Sequence, residues 1–310
     1  MMKIKTLFPL PPLLLALRPN QWVKNFILFA AIIFTGKLFD PRFFIMTFLG
    51  FLIFCAISSA SYLFNDIIDL KFDKLHPDKK TRPLAAGLIS LSLASEAAFL
   101  LGFFGLIAAL LLSTVFFFVA AAFAIIHILY STVLKKHAIL DIMGIAFSFI
   151  LRAYAGEAIT GYHLPFWLFL AVMFVALFVA ATKRHSELIR EGTTTRPVLF
   201  QYREHLLDFY NSMFGSAAIL AYAMFTFWEE PSHFNPPFRT FLFNTVPQAI
   251  ERKWMIITIP FVIYGLMRYA QLAYEGTQGE RPEKIITTDL PLIVSILMWG
   301  LLIIMFLYIL

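Results

Sequence analysis

The chain predicts an all-α polytopic membrane protein of nine transmembrane helices, on three observations. Of its 310 residues, 60% are hydrophobic and only 14% are charged, whereas a soluble domain carries about 25% charged residues. Mean hydropathy is +0.79. Apolar runs approaching the roughly 20 residues needed to cross hydrocarbon recur along the chain. Lys and Arg concentrate at the ends of these runs, which is the distribution of membrane anchors and not of a nucleic-acid surface. No nucleic-acid partner is therefore expected, despite the net charge of +6.

Taken in order, residues 1–17 read as an interfacial segment. Lys3, Lys5 and the apolar residues after them resemble a signal peptide, but Pro9, Pro11 and Pro12 interrupt the run. The nine spans are expected near 22–37, 42–65, 92–112, 114–133, 139–157, 165–182, 211–228, 254–274 and 289–309. The first is short, and the third and fourth meet at a tight turn near Ser113. The segment 229–253, with Pro231, Pro236, Pro237 and Pro247, reads as a loop. A single integral-membrane domain over 1–310 is expected. With the N-terminus in the cytosol, 19 of the 25 Lys and Arg fall on that side and 5 on the other. This places the N-terminus inside and the C-terminus outside. The single cysteine, Cys55, lies in an apolar run and reads as packing.

The densest charge follows the second span. Asn65, Asp66, Asp69 and Asp73 lie within roughly 100° of one another around a helix axis. Asp69 and Asp73, one turn apart, would repel by roughly 3 kcal/mol at an effective dielectric of 20. A cation must offset such a stripe. Its hard oxygen donors suit Mg²⁺, which keeps its waters and shares coordination with substrate phosphates. Lys79, Lys80 and Arg82 follow at once, and His76 stands before the turn at Pro77.

The same side gathers more polar groups. Gln21 and Lys24 open the first span, and Tyr130, Lys135, Lys136 and Asp141 bracket the fourth connection. Arg152 lies inside the fifth span, where a charge costs about 2.5–3.5 kcal/mol and normally faces a polar cavity with a partner. Lys183, Arg184 and Glu187 close the sixth, with Lys183 and Glu187 spaced to pair. Lys135 and Lys136 read equally well as plain membrane anchors. His127 reads as a packed, hydrogen-bonded core histidine. Acids for Mg²⁺ beside bases for phosphate indicate a diphosphate substrate. A transporter is disfavoured, since its site would lie near the midplane between broken helices, and only Arg152 lies deep.

The pattern Asn65-Asp-x-x-Asp69-x-x-x-Asp73, followed by Arg-Pro-Leu-Ala-Ala-Gly at 82–87, resembles the UbiA superfamily of intramembrane transferases. The resemblance implies nine helices around a central cavity. Most members move a prenyl chain from its diphosphate and carry a second Asp-rich motif after helix 6. The matching loop here has Lys183, Arg184 and Glu187 with no Asp. That departure is similar to the decaprenyl-phosphate phosphoribosyltransferase branch, as are Leu17-Arg-Pro-x-Gln-Trp-Val-Lys-Asn25, Tyr130-Ser-x-x-Leu-Lys135, Leu151-Arg-Ala-x-Ala-Gly156 and Gly279-x-x-Pro-Glu283.

This branch implies transfer of 5-phosphoribosyl from phosphoribosyl pyrophosphate (PRPP) to a polyprenyl phosphate, releasing pyrophosphate. In related bacteria such a lipid leads to the arabinose donor used for cell-wall arabinan. The expected location is the bacterial inner membrane, with the site facing the cytosol. Homo-oligomerisation stays open. On this reading Asn65, Asp66, Asp69 and Asp73 hold Mg²⁺, and Lys80 and Arg82 contact phosphate. Lys183, Arg184 and Glu187 hold the donor from the opposite wall. Gln21, Lys24, Lys135 and Arg152 position the lipid phosphate, with Tyr130 and Asp141 completing the substrate site. The alternative is a prenyltransferase using the same stripe for a prenyl diphosphate.

Overall fold

The computed structural model describes residues 11–76, 79–191, 202–228, 240, 244–245, 253–275 and 282–309. Among these there is no strand. The helices are α1 (Pro12–Ala16), α2 (Ala30–Phe34), α3 (Pro41–Ile68), α4 (Leu70–Leu75), α5 (Leu91–Leu112), α6 (Thr114–Thr132), α7 (Leu140–Thr160), α8 (Phe166–Glu191) and α9 (Glu204–Trp228). They continue as α10 (Ile259–Glu275), α11 (Pro282–Thr288) and α12 (Leu290–Ile304). Of the expected interfacial segment 1–17, residues 1–10 lie outside the described residues, as does most of the expected 229–253 loop.

Local chemistry sets the helix ends. Pro41 opens α3 behind Asp40, whose carboxylate accepts from the Arg42 amide at 3.0 Å. Ser90 caps α5, and extended Ser113 ends α5 while capping α6, which makes the tight turn expected there. Gly161, at φ +74°, terminates α7 in the left-handed conformation that glycine adopts without steric cost.

Among the described residues, seven helices are long and apolar enough to cross a membrane, with cores in α3, α5, α6, α7, α8, α10 and α12. This departs from the nine expected runs at two places. Residues Pro19–Phe29 wind as a tighter 3-10 helix before the short α2. The 25-residue α9 opens with Glu204, His205 and Asp208, and it is too polar to qualify.

Burial ranks the helices. The apolar window of α7 is 56% buried and that of α5 only 11%, so α7 is central and α5 faces lipid. Phe54, Phe116, Phe123, Leu28 and Ile57 form a core joining α3, α6, α7 and the 3-10 segment. Gly156 permits this: a Cβ there would strike the Leu28 carbonyl. Phe34, Leu168, Phe225 and Phe306 make a second core toward the chain's end. Burying Phe or Leu contributes about 1.5–3 kcal/mol each. Beside these cores lies a small polar cavity.

Candidate active site

The acid stripe sits where α3 stops. Asp69 leaves helical geometry at φ −88°, ψ 0°, and α4 resumes directly after it. Each carboxylate is held by a cation from elsewhere in the chain. Arg18 Nη2 donates to Asp66 Oδ1 at 2.5 Å. Arg82 Nη1 bridges Asp66 Oδ1 at 3.0 Å and Asp73 Oδ2 at 2.6 Å. Lys135 Nζ reaches Asp69 Oδ1 at 2.5 Å and Asn65 Oδ1 at 3.4 Å, and Asn65 Nδ2 donates to Asp69 Oδ2 at 3.2 Å. The repulsion expected of the stripe is thus offset by the protein's own bases. Lys135 acts here on the stripe as well as anchoring the end of α6.

A cavity of about 160 Å³ opens beside the stripe. Among the described residues, five cationic side chains, Arg18, Lys24, Arg82, Arg152 and Lys183, line it together with Asn65, Tyr62, Tyr130 and His127, and no carboxylate does. Backbone strain accompanies this: Arg18 has φ +54°, a left-handed conformation that costs a non-glycine residue about 1–3 kcal/mol. Arg152 is buried yet satisfied. Its Nε donates to Asn25 Oδ1 at 2.8 Å, Nη1 donates to the Ser148 carbonyl at 3.0 Å, and its plane lies 4.5 Å from the Phe123 ring centre. It therefore has the partner and the cavity that a deep arginine requires.

The wall from α8 is built differently. Arg184 is fully buried; it pairs with Glu187 and lies 2.5 Å from Asp141 Oδ2, and its Nη2 donates to Tyr130 Oη at 2.6 Å. Glu187 pairs with Arg184, whereas the spacing had suggested Lys183. Arg184, Glu187 and Asp141, expected at the substrate, sit behind the cavity wall and hold Tyr130 in it. The reason is charge balance: a guanidinium without solvent needs both carboxylates beside it. Lys183 faces the cavity and donates no hydrogen bond to the described residues. Lys80 is exposed on the 79–81 turn.

Two contributors, Tyr202 and Glu283, escape a reading of the sequence. Tyr202 donates to Asp141 Oδ1 and accepts from the Ile139 amide, both at 2.6 Å. Burial first, then the Asp141 carboxylate, pushes its hydroxyl well above the ordinary value, which keeps it a donor. Ile139, whose amide makes this contact, has a φ of +69°. Glu283 accepts from Gln21 Nε2 at 2.5 Å and lies 3.3 Å from Lys24 Nζ. Burial acts to raise the Glu283 carboxyl, but Lys24, its own backbone amide, Lys183 and Gln21 outweigh it and hold it below its ordinary 4.5. Gln21 in turn accepts from Lys24. His127, expected to be hydrogen-bonded, instead has a buried Nε2 without a partner and packs on Phe123 with ring centres 4.4 Å apart. The polarity of Tyr202 and Glu283 is visible in the sequence; their pairing across the chain is not.

The UbiA prenyltransferase family model matches residues 25–285. The chain belongs to the UbiA prenyltransferase family. Among UbiA relatives, it is 32% identical to a decaprenyl-phosphate phosphoribosyltransferase of Mycolicibacterium smegmatis, over 93% of this chain and 89% of that one. It is 31% identical to a protein of the same name from Corynebacterium glutamicum, over 95% of this chain and 86% of that one. Its fold matches a UbiA homolog from Archaeoglobus fulgidus bound to GPP and Mg²⁺, with a TM-score of 0.66 and 18% identity over 96% of each chain. At that identity the likeness shows the fold alone. An integral membrane protein with a UbiA fold follows from both the apolar helices and the match.

The stripe fits a divalent metal by the chemistry of its donors. Arg82 Nη1 already places one cationic atom between the Asp66 and Asp73 carboxylates. The three aspartates do not converge as a closed ligand ring, and Mg²⁺ does not need one, since it binds through one or two carboxylates plus phosphates.

Proposed function

We propose that this protein transfers 5-phosphoribosyl from PRPP to a polyprenyl phosphate, giving polyprenylphosphoryl-5-phosphoribose and pyrophosphate. The observation that carries this reading is the cavity wall, on which the described residues place five cations and no carboxylate. A prenyl diphosphate presents one anionic end. PRPP presents a diphosphate and a separate 5-phosphate, and its acceptor brings a further phosphate. Full-length relatives named for this activity support the same choice.

In the reaction, an oxygen of the lipid phosphate attacks C1 of the ribose, the C1–O bond to the diphosphate breaks, and pyrophosphate leaves with the bonding pair. The attacking phosphate is already anionic, so no general base is needed. Asn65, Asp66, Asp69 and Asp73 would hold Mg²⁺, whose chemistry is to offset the charge gathering on the departing diphosphate. Arg82 and Arg18, released from the carboxylates, clamp donor phosphates, with Lys80 at the rim. Lys183 contacts the donor from α8, and Arg184 and Glu187 act behind it by fixing Tyr130. Lys24, oriented by Gln21, and Lys135 and Arg152 position the lipid phosphate. Cationic groups placed before the reaction stabilise developing charge without reorganising.

The polyprenyl chain lies along the apolar outer faces of the bundle. The site faces the cytosol of a bacterial inner membrane, and 1–310 acts as one domain. Nine crossings remain our reading: Pro19–Phe29 and α2 together span roughly 30 Å at 3-10 and α rises, and α9 supplies the ninth.

The test is a donor competition. Purified protein receives labelled PRPP or labelled geranyl diphosphate, with Mg²⁺ and decaprenyl phosphate. Label entering the lipid phase from PRPP alone is expected. Consumption of the prenyl diphosphate without lipid labelling from PRPP would favour the prenyltransferase alternative and overturn this reading.

A further inference from the structure

Outside the cavity, α8, α9 and α10 bring together a second group of ligating side chains. His185, Glu204 and Asp208 place one donor atom each within 4.8 Å of one another. Glu204 and Asp208 are four residues apart on α9 and share one face, and His185 stands opposite on α8. His185 does not line the cavity, although it neighbours Arg184 in sequence.

His185 supplies an independent observation. It is only 3% exposed, and neither ring nitrogen makes a hydrogen bond among the described residues. Its Nε2 lies 3.3 Å from Asp208 Oδ1 without hydrogen-bond alignment. A buried imidazole with unsatisfied nitrogens is costly, and this one is aimed at two carboxylates. Its ring is held flat against Tyr274, centres 3.9 Å apart at 21°.

The surroundings are ordered as an outer ligand shell is. Tyr274 Oη donates to Asp208 Oδ1 at 2.9 Å and accepts from Asn211 Nδ2 at 2.7 Å. Asn211 Oδ1 accepts from Thr182 Oγ1 at 3.1 Å. This relay from α8 through α9 to α10 orients one carboxylate, as hydrogen bonds behind metal ligands do. One imidazole and two carboxylates suit a borderline transition metal such as Zn²⁺ better than Mg²⁺. Glu204 is exposed, which leaves an entry path.

We propose that His185, Glu204 and Asp208 form a second divalent-metal site of the zinc class, separate from the acid stripe. Occupied, it fastens α8 to α9 immediately behind Lys183 and Arg184. Its role is to hold the α8 wall in place and not to meet substrate.

The experiment uses the full chain, solubilised and stripped with chelator, and titrates Zn²⁺ alone by calorimetry, with metal content measured afterwards. One Zn²⁺ per chain is expected in the wild-type protein and in Asp69→Asn. Glu204→Gln and Asp208→Asn should each weaken binding by about 100-fold or more, and Tyr274→Phe by about 10–100-fold. His185→Asn should abolish it; should that variant fail to fold, the two α9 variants decide alone. Three results would overturn the proposal: no Zn²⁺ bound by the wild type, unchanged binding in both α9 variants, or loss of binding in Asp69→Asn. The last would place the ion at the stripe.

Discussion

The two charged walls of the cavity handle their charge in opposite ways. On the α3 wall, carboxylates meet cations that stay partly exposed: Arg18 and Arg82, which line the cavity, are each 24% exposed, and Lys135 is 12% exposed. On the α8 wall, Arg184 and Asp141 have no exposure at all. We propose that pairs of the first kind exchange a protein cation for a metal ion or a phosphate, since their cations are partly exposed. The second kind cannot open without leaving charge in a solvent-free core. On this proposal one wall is the exchangeable surface and the other the fixed support.

The sharpest way to break this contrast is Arg184→Met. It strands Asp141 and Glu187 and should cost about 3–5 kcal/mol, read as a large fall in the thermal unfolding midpoint. Asp69→Asn should do the reverse, lowering turnover by about 10²–10³-fold while the midpoint stays close to wild type. An equal stability loss from both substitutions would erase the distinction between the walls. Lys183→Gln, which removes one charged phosphate contact worth about 1.5–3 kcal/mol, should raise KM for PRPP roughly 10–100-fold with little change in stability. Tyr202→Phe should cost about 1–2 kcal/mol of stability, because it deprives Asp141 and the Ile139 amide of a partner.

The smallest effect is a pH dependence. Glu283 titrates below its ordinary 4.5 in the folded protein, so the unfolded chain takes up its proton first. Its contribution to stability is present above that value and is lost as pH falls through the folded value. Glu283→Gln should flatten the acid limb of a plot of midpoint against pH; an unchanged limb would remove Glu283 from the network.

The legibility of this protein divides along the same line. From residue 41 onward most spans could be read, because apolar runs and their caps are local. The stripe could be read too, since four polar side chains fall within nine residues of one helix end. The cations that answer it could not be assigned. Arg18 meets Asp66 across 48 positions and Lys135 meets Asp69 across 66, and only packing decides such pairs. Arg184 misled for a related reason: a Lys-Arg run at a helix end looks solvated, and nothing local shows that Asp141 and Tyr130 close over it. The first span hid its geometry, because Pro19 permits a 3-10 or an α start equally.

The central claim is that the stripe exchanges its protein cations to admit a metal-bound, highly anionic donor. Calorimetric titration of PRPP into the purified protein, with and without Mg²⁺, tests it most directly. Saturable binding that requires Mg²⁺ and disappears in Asp69→Asn is expected. Equal binding without Mg²⁺, or undiminished binding in Asp69→Asn, would contradict it.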